Sequence, residues 1–252
     1  MIIGIIRYAI PNAFTDRNNS RDVVQLYEEP YFSDRFNIFK NITLKTFENQ
    51  TNKDFVLLVY HTNLIPNDKK ELFDAIEQEC SFVKNVYVKD PVLLIPDDLQ
   101  NERLLTFRID NDDGISSDFI DKLSGIQNSN QINVAITIPH IHKICRISDN
   151  EYKLVALDYV SNSMGLAYLS NENKTVMDLG DHSAVYKKFN TIRLNGNGGL
   201  QTINDYNVAN KFNHNADKNR SDEQILSYQE AQEFLIKEGY GKLELSCLPI
   251  IK

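Results

Sequence analysis

Apolar residues in the first half of the chain fall into short continuous runs that alternate with helical stripes. Residues 2–6 form an unbroken apolar run of strand length, as in a strand buried on both faces. Residues 11–34 are polar and turn-rich and read as a long loop. Over residues 36–49, Phe36, Phe39, Thr43 and Phe47 recur at spacings of three and four, which predicts a helix. Residues 55–60 predict a second buried strand. Pro66 with Asn67 or Asp68 opens a helix carrying Leu72, Phe73 and Ile76. Residues 82–88 and 104–109 predict two more strands. Ser116 or Ser117 then caps a helix with Phe119, Ile120 and Leu123 on its buried side. This alternation predicts a mostly parallel sheet with helices on both faces.

The pattern changes after residue 126. Short strands are predicted over 134–138, 141–147, 152–159 and 166–169, separated by polar turns as in antiparallel hairpins. Asn195, Gly196, Asn197, Gly198 and Gly199 read as a flexible loop. The polar stretch 210–220 reads as a mobile loop. A last helix is predicted over 222–237, with Ser221 and Gln224 as a capping box and Gly239 past its end. Residues 243–251 predict a closing strand, and no internal repeat is present.

Composition narrows the picture. With 252 residues, 42% of them hydrophobic, the chain can bury a real core, which excludes a disordered tail or a disulfide-stapled miniprotein. Cys80, Cys145 and Cys247 lie far apart and form neither a zinc ribbon nor a redox pair, a usage that suits a reducing compartment. No run is long enough to span a bilayer, and the apolar start, cut by Arg7, reads as a strand and not a signal peptide. Lys and Arg number 27 against 35 Asp and Glu, a net charge of −8, and no basic stripe answers a nucleic acid backbone. Binding an anionic small ligand then requires a local device such as a metal ion.

The segment carrying chemistry runs from Arg108 through Ile109, Asp110, Asn111, Asp112 and Asp113 to Gly114. It lies where an apolar strand ends and a helix approaches, the edge at which open α/β sheets bind ligands. Carboxylates there suit Mg²⁺ or Mn²⁺, which bridge to a diphosphate. Without a cation, each like-charge pair at about 4 Å costs roughly 4 kcal/mol at an effective dielectric near 20. A calcium loop of the EF-hand type is excluded: with Gly114 at its sixth position, Ile109 and Ile120 occupy the first and twelfth, where carboxylates are needed. His140 and His142 alternate on one strand with a spacing that suits metal, but no third ligand accompanies them, so packing is the expected role.

Arg35-Phe36, Gln50, Asp54-Phe55 and the Arg108–Asp113 motif together resemble the glycosyltransferase A fold, specifically the bacterial "putative rhamnosyltransferase" family. The likeness continues weakly through Gly180, Asp181 and His182 and from Leu200-Gln201 to Asn207. It implies one α/β domain of the GT-A type over 1–252, with residues 1–126 as the nucleotide-sugar half and 127–252 as the acceptor half. It further implies Mn²⁺- or Mg²⁺-dependent, inverting transfer of a sugar, rhamnose by the family's name, in surface polysaccharide or glycan assembly. Asp112 is then the principal metal ligand, with Asp113 and Asp110 beside it and Asp110 near the donor ribose. Arg7, Tyr8 and Arg108 are expected at the nucleotide, Arg7 pairing with phosphate and Tyr8 stacking on the base. Asp181 or His182 is the expected general base. The implied partners are a nucleoside-diphosphate sugar and a saccharide acceptor, with no nucleic acid, peripheral membrane contact allowed, and a cytoplasmic location. The family's Trp and His are absent from the stretch Gly199–Asp205, where Asn204 stands for the His. That departure leaves a catalytically silent nucleotide- or glycan-binding relative as the alternative.

Overall fold

The computed structural model describes residues 1–10, 23–89, 93–158, 163–172, 174–196, 198–204 and 223–251. The chain opens with strand β1 (Ile2–Ala9). A continuous helical stretch follows as α1 (Tyr31–Ile38), a π-helical turn (Phe39–Thr43) and α2 (Leu44–Glu48). Next come β2 (Phe55–Thr62), α3 (Asn67–Glu79), β3 (Val83–Val88), β4 (Leu104–Arg108), β5 (Asp113–Ile115) and α4 (Phe119–Gln127). The later part adds β6 (Val134–Thr137), β7 (His140–Arg146), β8 (Glu151–Asp158) and β9 (Ala167–Ser170). It ends with α5 (Val185–Lys188), β10 (Thr191–Arg193), β11 (Gly199–Thr202), β12 (Gln224–Ser227) and α6 (Tyr228–Lys237).

Two sheets result. The larger has the order β10-β6-β9-β4-β1-β2-β3. Its central strands β4, β1, β2 and β3 are parallel, while β9 runs antiparallel to both β4 and β6. The smaller has the order β12-β8-β7-β11-β5, antiparallel except where β11 meets β7. The architecture is thus the expected α/β class with a mixed, mostly parallel main sheet. Neither sheet is confined to one half of the sequence, since β5 joins the smaller and β6, β9 and β10 join the larger.

Apolar runs explain the buried centre. On one face of the main sheet Ile6, Leu57 and Phe107 pack with Phe39, Phe47 and Phe119; on the other Ile3, Ile5 and Leu58 meet Tyr168, Val176 and Leu179. Gly4 faces Leu57 on one neighbouring strand and Phe107 on the other. A Cβ there would lie 2.4 Å from Leu57 Cδ2 and 2.5 Å from Phe107 Cζ, so glycine is what lets both side chains close over β1. A third apolar cluster joins Ile38, Ile42, Ile144 and Leu200 to Leu235, Tyr240 and Leu245 near the carboxyl terminus.

That terminal segment is tied to distant parts of the chain. Tyr240 lies between Gly239 and Gly241, both at positive φ (85° and 80°). Its hydroxyl donates to the Gly199 carbonyl (2.8 Å), and its own carbonyl accepts from Asn49 Nδ2 (3.2 Å). The Gly239 carbonyl accepts from the Ser117 amide (2.8 Å).

Several expectations need correction. The loop expected over 11–34 gives way to helix by Tyr31, because Glu29 accepts from the Ser33 amide (3.1 Å) and Phe32 is buried; residues 11–22 lie outside the described residues. Leu72 is exposed, while Phe73 and Ile76 carry the buried side of α3. The cap residue of α4 is Asp118, not Ser116 or Ser117, and the Ile120 amide is satisfied by Gln50 Oε1 (3.1 Å). Residues 134–138 and 166–169 do not form hairpins of their own but enter the main sheet as β6 and β9, between β10 and β4, whereas β7 and β8 pair as expected. Gly198 and Gly199 belong to close packing and not to a flexible loop: added Cβ atoms would meet Ile138 Cγ2 at 1.8 Å and Met164 Sδ at 2.4 Å. Asn197 lies outside the described residues. The capping box is Ser227 with Glu230, later than expected, because Gln224–Ser227 pairs with β8 as a strand. Ser221, Asp222 and the stretch 210–220 lie outside the described residues. In place of a closing strand, a 3-10 turn (Leu245–Cys247) buries Leu245, and a single bridge joins Ile250 to Arg146.

His61, near the end of β2, is packed between Phe73 (4.2 Å between ring centroids), Tyr87 (5.4 Å) and Tyr8 (5.5 Å). Burial lowers its pKa to about 3, against the small opposing pull of Asn85 and Asp74. The unfolded chain therefore binds a proton near pH 6.5 that the native state refuses, and stability falls as pH drops from about 6.5 towards 3. Acidification from pH 7 to 5 is expected to remove about 2 kcal/mol through this residue alone. Urea unfolding of wild type and His61→Phe at both pH values checks it; an equal loss in the variant would discard His61 as the cause.

Candidate active site at the sheet edge

The carboxyl ends of β1, β2 and β4 lie side by side, with Ile5 in register with Arg108 and Arg7 with Tyr60. Strand alternation puts Arg7 and Arg108 on the face that carries Ile3, Ile5 and Leu104. Tyr8 and Ile109 emerge on the opposite face with Ile6 and Phe107. The acidic turn that follows β4 sits between these two settings.

Its four residues differ in exposure. Asp110 is exposed, Asn111 buried, Asp112 half-buried, and Asp113 only 1% exposed. Asp113 is the first residue of β5 and pairs with Gln201 on β11, which draws it inward. The Asp113 amide donates to the Asp110 carbonyl (3.2 Å) and closes the turn. Thr202 Oγ1 donates to the Asp112 carbonyl (2.6 Å), and Asn204 Nδ2 to Asp112 Oδ2 (3.4 Å).

Among the described residues, neither carboxylate oxygen of Asp113 has a hydrogen-bond partner of normal geometry. Burial, then the neighbouring charges of Asp112 and Asp110, push its pKa well above the usual carboxylate range, while the Thr202 backbone and Lys143 offset this only in part. A buried carboxyl group without a donor takes a proton or a cation. The donor set, hard oxygens alone, fits Mg²⁺ or Mn²⁺. Among the described residues no three His, Cys, Asp or Glu side chains form a ready-made cage. That is compatible with ions which take one or two carboxylates and fill the remaining positions with water and substrate phosphate.

On the other face, Arg108 is depressed first by burial and then by Arg7, while Asp110 and Asp181 act in the opposite sense. Its Nε donates to the Ser163 carbonyl (3.4 Å). Asp181 caps a 3-10 turn (His182–Ala184) by accepting from the Ser183 amide (2.9 Å). His182 Nδ1 lies 3.7 Å from Asp181 Oδ1. Burial and Arg108 lower the His182 pKa, with Asp181 and Asp110 opposing. Arg7, Arg108, Asp110, Asp181 and His182, far apart in sequence, thus share one electrostatic neighbourhood. Asp178 is engaged elsewhere, in a capping box with Thr175.

Tyr8 is placed differently from expectation. It is 2% exposed, set edge-on against Phe39 (5.4 Å) and Phe73 (4.6 Å), with the Arg35 guanidinium over its ring (5.4 Å). No ring face is left for stacking on a base. His142 Nδ1 lies 2.9 Å from the Tyr240 hydroxyl, and His140 pairs with Asp158 across β7 and β8. Both histidines have structural partners. Asp205 and Asn207 lie outside the described residues. Arg35, Asn111 and Thr202 were not among the expected site residues, although Arg35 stands in the opening Arg-Phe pair.

The main sheet is mixed and mostly parallel, and it carries the acidic turn at the carboxyl end of β4. Residues 1–215 match the model of the family described as "Putative rhamnosyl transferase", and the chain belongs to that family. No curated protein matches the chain. Among solved structures, TarS 1-349 of S. aureus is similar at 9% identity and a TM-score of 0.45, over 80% of this chain and 60% of that one. The same protein in complex with UDP-GlcNAc gives 10% and 0.45, over 82% and 59%. The inositol-1-phosphate CTP transferase of T. maritima gives 10% and 0.33, over 79% and 88%. The chain thus spans about three-fifths of the TarS 1-349 structures, and likenesses this distant carry no argument about chemistry. Among the described residues, no helix is long and apolar enough to cross a membrane.

Proposed function

We propose that the chain transfers a sugar, rhamnose by its family's name, from a nucleoside-diphosphate donor to a saccharide hydroxyl with inversion, using Mn²⁺ or Mg²⁺. The observation that carries this reading is Asp113, buried with no hydrogen bond of normal geometry to its carboxyl among the described residues, beside the half-buried Asp112 and exposed Asp110 where β4 ends. Asp112 and Asp113 would hold the ion, with Asp110 towards the donor ribose. When bound, the ion offsets the negative charge that develops on the departing diphosphate. Arg7 and Arg108 present two guanidinium groups to the donor's anionic part from the other face of the sheet.

His182 is the better base of the two candidates. Asp181 already accepts from the Ser183 amide, and this holds its carboxyl below the ordinary range, which makes it a weak base. With Nδ1 turned towards Asp181, Nε2 of His182 takes the acceptor proton as the new C–O bond forms and the bond to the diphosphate breaks. Asn204 donates to Asp112 without adding charge, so the leaving group's neutralisation rests on the ion and the arginines. Assembly of a surface glycan in the cytoplasm, with peripheral membrane contact, is the setting this chemistry fits.

Calorimetry with UDP, GDP and dTDP, with and without Mn²⁺, is the test. At least one nucleotide is expected to bind about tenfold or more tightly with the ion. Equal binding without it would remove the metal from the reading. Binding without any donor turnover would favour a silent relative.

A further inference from the structure

Arg35 lies in α1, one turn after Tyr31, and its guanidinium meets Tyr31, Tyr8 and Asn111. Nη1 donates to the Tyr31 hydroxyl (2.8 Å), and its central carbon lies over the Tyr31 ring (5.1 Å) and the Tyr8 ring (5.4 Å). Nη2 donates to Asn111 Oδ1, in the middle of the acidic turn. Burial works against its charge, but Tyr31, Tyr8 and Asp112 together raise its pKa. The next residue, Phe36, stacks on Phe32 (5.5 Å) and meets Phe73 edge-on (5.3 Å). The pair therefore anchors α1 in the core and reaches the turn at once.

Asn111 shows what this reach does. It is buried, and among the described residues its Nδ2 has no partner. Among the described residues, the bond from Arg35 is the side-chain hydrogen bond that orients it. Asn111 stands between Asp110 and Asp112, so fixing it fixes the directions in which both neighbours leave the turn.

We propose that Arg35 is a positioning residue whose planar fork, in contact with two tyrosine rings, sets the acidic turn for a divalent cation through Asn111. This rests on the reading that the turn takes such an ion. A lysine would keep the charge near Asp112 but lose the fork, the ring contacts and the simultaneous bonds to Tyr31 and Asn111. Charge neutralisation alone would be met by either side chain; orientation would not.

The test compares wild type with Arg35→Lys, Arg35→Met, Asn111→Ala and the double variant Arg35→Lys/Asn111→Ala. The first measurement is Mn²⁺ affinity, read from the free-ion electron paramagnetic resonance signal with UDP, GDP or dTDP present. The second is amide hydrogen exchange at Asp113 without metal, since that amide closes the turn. All four variants are expected to bind Mn²⁺ about 10- to 100-fold more weakly, as for a lost outer-shell partner. Asp113 exchange is expected to accelerate in each, and the double variant should add little to either single one. Wild-type affinity in Arg35→Lys would overturn the proposal in favour of charge alone. Unchanged exchange in Arg35→Lys and Asn111→Ala would overturn it outright. If Arg35→Met does not fold, those two variants decide. No Mn²⁺ binding by wild type would sink the metal reading and the purpose given to Arg35, while exchange would still report whether Arg35 holds the turn.

Discussion

Asp112→Asn is expected to lower kcat/KM for the donor about 10³-fold while leaving the thermal midpoint nearly unchanged or higher. In the proposed reaction Asp112 is a charged ligand of the ion that offsets the leaving diphosphate, and loss of one such electrostatic contributor is typically worth 10²- to 10³-fold. The stability forecast follows from the setting. Asp112 is half-buried beside two other carboxylates, and its charge is one of the causes that raise Asp113. Asparagine keeps the shape, can still meet Asn204, and relieves the repulsion with Asp113 while giving up the attraction to Arg35. A surface turn without function would show the stability gain and no change in turnover. Steady-state kinetics in Mn²⁺ beside a melting curve separates the two, and activity within a few-fold of wild type would refute the assignment.

His182→Ala is expected to reduce kcat by about 10²- to 10⁴-fold, the range for a lost general base. As the proposed base, His182 acts through its neutral imidazole. Burial and Arg108 lower its pKa below the ordinary 6.5, so kcat/KM should be flat near neutrality and fall on acidification only below that value. Asp181 acts to raise the same pKa. Asp181→Asn should therefore move the acid limb to still lower pH, with a smaller loss of rate. A limb that persists in His182→Ala, with a rate reduced less than about threefold, would place the base elsewhere.

The parts of this fold visible from sequence are those whose signal is local. Residues 2–6 and 55–60 are continuous apolar runs, and they became the central parallel strands. The acidic turn was visible because it follows such a run. What stayed hidden depends on partners remote in the chain. β5 starts at an aspartate, a residue that reads as surface, and is a strand only because β11 pairs with it. β11 starts at a glycine whose missing side chain reads equally as freedom or as tight packing; Met164 and Ile141 decide for packing. The start of α1 is hidden because Glu29, not Ser, Asp or Asn, serves its first turn. Arg35 meets Asn111 across 76 residues and Asn204 meets Asp112 across 92, distances over which no spacing rule reports.

The tie made by Tyr240 bears on where this protein can be cut. The family match stops at residue 215, before β12, α6 and Tyr240. Yet the Tyr240 hydroxyl holds the Gly199 carbonyl at the head of β11, and Gly239 holds Ser117 just beyond β5. Removing that tail would bare Ile38, Ile42, Ile144 and Leu200 and take away the hydroxyl bonded to the head of the strand whose Thr202 steadies Asp112. Shortened versions and chimaeras should therefore keep everything through Leu248, because residues inside the family match pack against a tail that lies beyond it.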